Sequence, residues 1–451
     1  MRAVWMAMAM CGGVFAQGLT LEQAVRQAVE RYPSVKVARE QATAAAAGIA
    51  LARTSYLPKV DFLAAVNRAT RNNIYGMLMP QSVIAPISGP PVREASGSSV
   101  FGSAIGLHVA WEPFDFGLRK SEVDAAESAR RQAELTAERT RFDVSTSAAA
   151  AFLTILAAEE TVKAATAGVE RAKAVEGIVG ALVKEELRPG ADAARARAEV
   201  AAAETQLIQA RQSVALAKAS LAQLVGGEVA AVEAGKLLGE SPAGVVAEAA
   251  PAASHPALRE QSAAIEAVRA RQKILDKSVF PRFQVESSTY ARGTGARPDF
   301  TTLGGANGLA PNFYNWGLGF TMNFGLTELM TIKQRRDVES AHERTEQAKL
   351  EQMQTDLTGQ LKRAQALMDG ARQVAAVAPV ALEASRVSEE QATARYRAGL
   401  GTMIEVAEAQ RIRTQAEIDA RLARLGVWRG LLEAAIASGS LDEFIAKAKG
   451  N

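Results

Sequence analysis

The sequence predicts a mixed α and β protein built from two internal repeats, each pairing short strands with a long helical hairpin. Three observations predict it. The segment RYPSVKVAREQATAAAAGIALARTSYLPKV, Arg31 to Val60, matches SHPALREQSAAIEAVRARQKILDKSVFPRF, Ser254 to Phe283, so Pro33 and Pro58 fall opposite Pro256 and Pro281. Runs of about ten residues alternate apolar with small or polar side chains, the period of a strand. Finally, no proline interrupts the stretches between Pro113 and Pro189 or between Pro311 and Pro379.

At 451 residues, with aromatics at only 5% and a formal charge of +3, the chain exceeds one ordinary domain and is nearly balanced in charge. Lys and Arg are interleaved with Asp and Glu, and no dense basic block marks a nucleic-acid surface. Abundant alanine favours helix.

The start, MRAVWMAMAMCGGVFAQG, has the shape of a secretory signal, residues 1–16, cut after Ala16. A longer signal with a mis-assigned start is the alternative, and Cys11 raises lipidation as another. Cleavage at Ala16 leaves a mature chain without cysteine. No uninterrupted apolar run of 18 residues follows, so no spanning helix is expected.

The first repeat, 17–227, carries strands near 59–68 and 100–113. In FGSAIGLHVAW, Phe101, Ile105, Leu107, Val109 and Trp111 share one face. A helix from about 119 to 187 follows, on the order of 100 Å long at 1.5 Å per residue. Phe142, Phe152, Ile155, Leu156 and Val162 recur in it at coiled-coil-like spacing. Pro189, Gly190 and Asp192 mark a turn at 188–191, after which the chain returns as a second helix.

Residues 228–254 link the halves. The second repeat, 255–438, places strands near 282–292 and 313–324. In WGLGFTMNF, Trp316, Leu318, Phe320, Met322 and Phe324 alternate with Gly317, Gly319, Thr321 and Asn323. Its hairpin turns at 398–402, and residues 439–451 form a tail. FDFG and MNFG set Phe116-Gly117 opposite Phe324-Gly325, and Glu204 pairs with Glu417. The first strand of each half alternates less cleanly.

The strand lengths suit a tilted bilayer crossing, with Trp111, Phe114, Trp316 and Phe324 as interfacial aromatics. The loops Arg71 to Ser99 and Gly293 to Asn312 are rich in Gly, Pro, Ser and Asn. GGANG, Gly304 to Gly308, lacks the Lys-Ser/Thr of a phosphate loop. Four strands cannot close a membrane barrel, so several chains must share one.

In the order of these elements the chain resembles the TolC-type outer-membrane efflux proteins, from Leu19 to about Ser438. LTLEQAVRQAVERYPSV, the YLPKV/VFPRF and FDFG/MNFG pairs, and YRAGLGTMIEVAEAQ carry the resemblance. It implies a homotrimer in outer-membrane lipid, with four strands per chain in a twelve-stranded barrel and helical hairpins forming a periplasmic α-barrel. An equatorial region would come from the linker and the tail. The implied role is the passive exit duct of a tripartite efflux pump or type I secretion system. A periplasmic adaptor (membrane fusion protein) and an inner-membrane transporter of resistance-nodulation-division or ABC type would be its partners. No cofactor, metal or catalytic group is implied.

The resemblance places Glu405 and Glu408 on the acidic positions of the periplasmic aperture, and Tyr396 on the tyrosine that ties neighbouring helices. Gly399 turns this hairpin. Gly401 stands where a basic latch residue is usual, with Arg395 and Arg397 as possible substitutes. Six carboxylates from three chains would ring an aqueous gap, and such rings set cation preference. The same acids also suit an ordinary exposed helix start, where the dipole favours them. The other Glu/Arg pairs are expected to be exposed contacts worth little each. His108, His255 and His342 lie far apart, which supports neither a metal site nor a triad. A non-conducting, exported coiled-coil or adhesin-like protein is the rival reading, and an exported hydrolase would need a constellation that is not found.

Overall fold

The computed structural model describes residues 18–70, 97–239, 253–297, 299 and 301–449. The expected signal at 1–16 with Cys11, the loop at 71–96 and linker residues 240–252 lie outside them. The chain divides into a helical unit (Met1–Thr43, Arg131–Ile265, Thr345–Asn451) and a sheet unit (Ala44–Arg130, Glu266–Arg344).

The elements run α1 (Leu21–Arg31), α2 (Pro33–Arg53), β1 (Lys59–Thr70), β2 (Ser99–Phe114), α3 (Leu118–Lys184) and α4 (Gly190–Val225). They continue with α5 (Pro256–Ser278), β3 (Arg282–Thr294), β4 (Phe313–Asn323), α6 (Glu328–Arg397), α7 (Met403–Ser438) and α8 (Asp442–Lys449).

In the sheet unit the strands pair antiparallel in the order β1-β2-β3-β4. Register explains the poor alternation of β1 and β3. Val60, Phe62 and Val66 of β1 share a face with Ile105, Leu107 and Trp111 of β2, because Val60 pairs with Val109, Phe62 with Leu107 and Val66 with Ser103. On that face Phe283, Val285, Ser287 and Thr289 of β3 lie opposite Met322, Phe320, Leu318 and Trp316 of β4. These large apolar side chains of β1, β2 and β4 are exposed, Trp316 at 74%. The opposite face is mostly small or polar, with Leu63, Tyr290 and Phe313 as exceptions: Asp61 pairs with His108, His108 with Ser288, and Ser288 with Gly317. A two-sided sheet with its apolar side bare is the pattern of a lipid-facing strand array. Trp111, Phe114, Trp316 and Phe324 are all exposed in it.

The β2–β3 register breaks between Trp111 and Phe114. Pro113 has no N–H for the ladder, which accounts for the irregularity. Asp115 then caps α3, accepting from the backbone N–H of Gly117 (3.0 Å) and Arg119 (2.9 Å). The buried Arg119 side chain donates to Asp115 at 2.7 Å, to the Ser55 carbonyl at 3.3 Å and to the Glu112 carbonyl. It fastens the end of β2 to the segment after α2. Thr327 occupies the matching place in the second repeat, which therefore has no arginine there.

In the helical unit, Leu21, Ala24, Val25 and Ala28 of α1 pack with Phe152, Leu153 and Ile155 of α3 and Leu221 of α4. Leu425, Val427 and Trp428 of α7 join them with Phe444 of α8. Fully buried alanines such as Ala28, Ala148 and Ala149 let helices approach closely. The tail is thus partly helix: Phe444 meets Trp428 edge-on at 6.0 Å, and Lys449 pairs with Glu22. Within the linker, Val232 bridges to Leu19. α6 continues through Pro379, whose ring nitrogen cannot serve the Ala375 carbonyl.

Two expectations need correction. α3 contains an 18-residue stretch long and apolar enough to cross a bilayer, although half of it is buried within the protein; the few charges inside that stretch hide it from a search for uninterrupted runs. Nor are all the helix ion pairs exposed. The side chains of Glu160 and Glu389 are each only 8% exposed.

His255 shows why it precedes a helix. Its Nδ1 accepts from the Ala257 N–H at 3.1 Å, so Nε2 carries the proton and donates to the Ile436 carbonyl at 3.1 Å. Burial lowers its pKa below the ordinary 6.5, against the carbonyl and Asp143, which favour the proton. A base with a depressed folded pKa contributes stability that is complete above the unfolded value and is lost as pH falls below it. Urea unfolding in detergent should therefore show a midpoint that drops from pH 7.5 to 5.5, and His255→Gln should flatten that drop.

Candidate functional site at the paired hairpins

The two hairpins close by the same backbone device. At the end of α3, Glu186 takes a left-handed conformation (φ 57°), with Leu187 N–H donating to the Leu182 carbonyl at 2.9 Å. At the end of α6, Gly399 does so (φ 80°), with Leu400 N–H donating to the Arg395 carbonyl at 2.9 Å. Only glycine takes this conformation without penalty, so the first hairpin carries a strain that the second avoids. The first turn spans 185–189, and Gly190 and Asp192 already belong to α4. That shifts it from the expected 188–191, because Glu186 rather than Pro189-Gly190 supplies the reversal.

Thr402 caps α7, accepting from the Glu405 N–H at 3.3 Å. Glu405 is exposed, its carboxylate 4.0 Å from Arg395. Glu408, also exposed, is held by Arg411 at 2.6 Å and 3.1 Å. That hydrogen bond keeps its carboxyl below the usual range. Each acid of the expected ring therefore faces a guanidinium of its own chain, which weakens the field the acids would create together.

Tyr396 is the centre of the site. It is 1% exposed and packs with Val175, Val179, Ala196, Met403 and Val406 in a small apolar cluster. Its hydroxyl donates to Asp192 Oδ2 at 2.9 Å. Burial and the Asp192 carboxylate push its pKa up to about 12. The cation that meets it is Arg188, with its guanidinium carbon 4.4 Å from the ring centre. Arg188 also donates to the Tyr396 carbonyl at 2.6 Å and the Gly401 carbonyl at 3.2 Å.

The two suggested substitutes do not fill that place. Arg395 donates to the Leu400 carbonyl at 3.2 Å, within its own hairpin, while Arg397 is exposed and contributes no bond to the cluster. The sequence pattern did not single out Arg188. One signal was available: Arg188 precedes Gly401 by the 213 residues that also separate Glu204 from Glu417.

Behind the hairpins lies a partly buried polar layer. Arg171 of α3 donates to both carboxylate oxygens of Glu417 at 2.9 Å and 3.0 Å, and to Thr414 at 3.0 Å. Arg413 joins Glu389 of α6 at 2.6 Å and Glu417 at 3.3 Å. Gln410 bridges the Arg171 carbonyl and Glu389, both at 3.3 Å. Three helices are locked in one axial register.

A family profile described as outer membrane efflux protein matches residues 24–227 and 251–432. No curated protein matches the sequence significantly. Solved structures share the fold. The Campylobacter jejuni CmeC outer membrane channel has a TM-score of 0.73 at 16% identity, over 95% of this chain and 89% of that one. The Vibrio cholerae outer membrane protein VceC has a TM-score of 0.73 at 16% identity, over 93% and 96%. The open state of the Neisseria gonorrhoeae MtrE outer membrane channel has a TM-score of 0.69 at 18% identity, over 93% and 89%.

Tyr396→Phe removes only the hydroxyl that donates to the half-buried Asp192 carboxylate, which should loosen the hairpins by about 0.5–1.5 kcal/mol. Hydrogen exchange of amides 185–192 should accelerate, with the buried polar layer unaffected.

Proposed function

The chain belongs to the outer membrane efflux protein family and is an outer-membrane exit duct; from that premise we propose that it works as a homotrimer. The observation that carries the proposal is the four-stranded sheet, with β1 and β4 as its edges and a bare apolar face. An unpaired edge has no solvent partner in hydrocarbon. The alternation of strand directions allows β4 of one copy to pair antiparallel with β1 of the next. Two copies would give eight strands; three give the twelve that the family resemblance implies.

The sheet unit would lie in the outer membrane with Trp111, Phe114, Trp316 and Phe324 at its interfaces, and the helical unit in the periplasm. Residues 1–16 would direct export. A periplasmic adaptor and an inner-membrane transporter would dock at the helical unit and supply the energy, and the duct itself catalyses no reaction. Glu405 and Glu408 would line the periplasmic aperture, with Tyr396, Arg395, Arg397, Gly399 and Gly401 in its second-repeat hairpin. Pro189, Gly190 and Asp192 would stand in the first.

The purified protein should require detergent, run as a trimer and conduct ions in planar bilayers. A monomer soluble without detergent, or a silent bilayer, would favour the non-conducting coiled-coil reading. Replacing both aperture acids, Glu405→Ala with Glu408→Ala, should weaken block by divalent cations about twofold to fivefold, since each acid already faces an arginine. Unchanged block would make them ordinary helix surface.

A further inference from the structure

The two hairpins are equivalent by sequence, yet the first carries a cation that the second lacks. At the spacing of 213 residues, Glu186 matches Gly399, Arg188 matches Gly401 and Asp192 matches Glu405. The second repeat has no side chain where the first has a guanidinium. Room is short there too. A Cβ on Gly401 would come within 3.2 Å of Glu405 Oε2, 3.3 Å of Arg395 Cβ and 3.3 Å of the Tyr396 nitrogen. The Gly401 carbonyl is one of the two that Arg188 occupies.

Arg188 touches the second hairpin at three points. The Tyr396 carbonyl belongs to the last turn of α6, where unsatisfied carbonyls concentrate negative potential. Arg188 caps that end from another helix pair at 2.6 Å. Its plane covers the Tyr396 ring, a cation–π contact, while the same tyrosine's hydroxyl is held by Asp192, four residues further on. The first hairpin therefore grips Tyr396 from both ends, and the second hairpin cannot leave without breaking all of these contacts together.

On the reading that this chain is an export duct whose hairpins form its aperture, we propose that Arg188 is the cation that holds the aperture closed. The clamp works inside one protomer, from the first repeat onto the second. Opening requires the α6–α7 turn to withdraw from Arg188, which uncovers the Tyr396 ring and leaves two carbonyls to water. Arg188 acts as a positioning residue: it sets where the second hairpin stands and does not contact cargo.

The test uses the full-length protein in planar bilayers, comparing wild type with Arg188→Gln and Arg188→Lys, alongside thermal melting in detergent. Arg188→Gln keeps a donor but removes the charge and the planar stacking. It should raise the open-to-closed ratio about tenfold, the scale of removing one charge-assisted hydrogen bond together with a cation–π interaction. Arg188→Lys should fall between Gln and wild type, because the ammonium reaches a carbonyl but does not cover the ring as the guanidinium does. Should Arg188→Gln fail to assemble, Arg188→Lys decides alone: an intermediate ratio supports the clamp and a wild-type ratio overturns it. An unchanged open-to-closed ratio with a lowered melting temperature would make Arg188 a staple of the folded hairpin in both states, and would overturn the clamp while leaving the export-duct reading intact. Silence in every variant, wild type included, would overturn that reading and the clamp with it.

Discussion

Backbone hydrogen bonding in hydrocarbon is the constraint on which the rest of the molecule depends. Each strand of the sheet unit presents one apolar face, and the sheet ends in two edges. Water is the only solvent that could satisfy those edges in a lone chain, and it is absent from the bilayer core. Closure by further copies answers the problem, because β1 and β4 run in opposite directions.

Duplication made most of this architecture legible in the sequence. Proline spacing, the paired FDFG and MNFG segments and the strand alternation in Phe101 to Trp111 and Trp316 to Phe324 fixed the order of elements. β1 and β3 were harder to read for a physical reason. In β1 the inward Leu63 and outward Ala64 blur the period, and in β3 the outer face carries Ser287 and Thr289. Only the register with Leu318 and Trp316 shows that these hydroxyl residues belong to the apolar side. Sequence patterns report side-chain polarity; a sheet averages over neighbours.

The candidate site was half legible. Tyr396, Glu405 and Glu408 stood out from the resemblance, and Asp192 from its turn. Arg188 did not, since a turn arginine in a charged segment looks like any solvated surface residue. Its partners lie more than 200 positions away. The partly buried pairs among Arg171, Glu389, Arg413 and Glu417 were hidden for a related reason. Charges occur on most faces of these alanine-rich helices, so periodicity does not tell which of them face a neighbour. Ions in such places gain little net stability over apolar residues. What this layer does provide is register, because Arg171 takes both oxygens of Glu417 at one axial position only.

The relative weight of the two electrostatic features at the hairpins follows from burial. Glu405 and Glu408 are exposed and each faces an arginine, so salt screens their mutual repulsion within a Debye length of about 8 Å at physiological ionic strength. Tyr396 is removed from water and its partners Arg188 and Asp192 are half-buried, so screening is weaker there and each bond keeps more of its strength. A carboxylate ring would tune which ions pass, and with a strength that varies with salt. The Arg188, Tyr396 and Asp192 contacts, being half-buried, depend less on salt than the exposed acids do. On the proposed gate, the energy of opening would reside mainly in the contact between repeats, and acids at the proposed aperture would act on what the gate admits once it has moved.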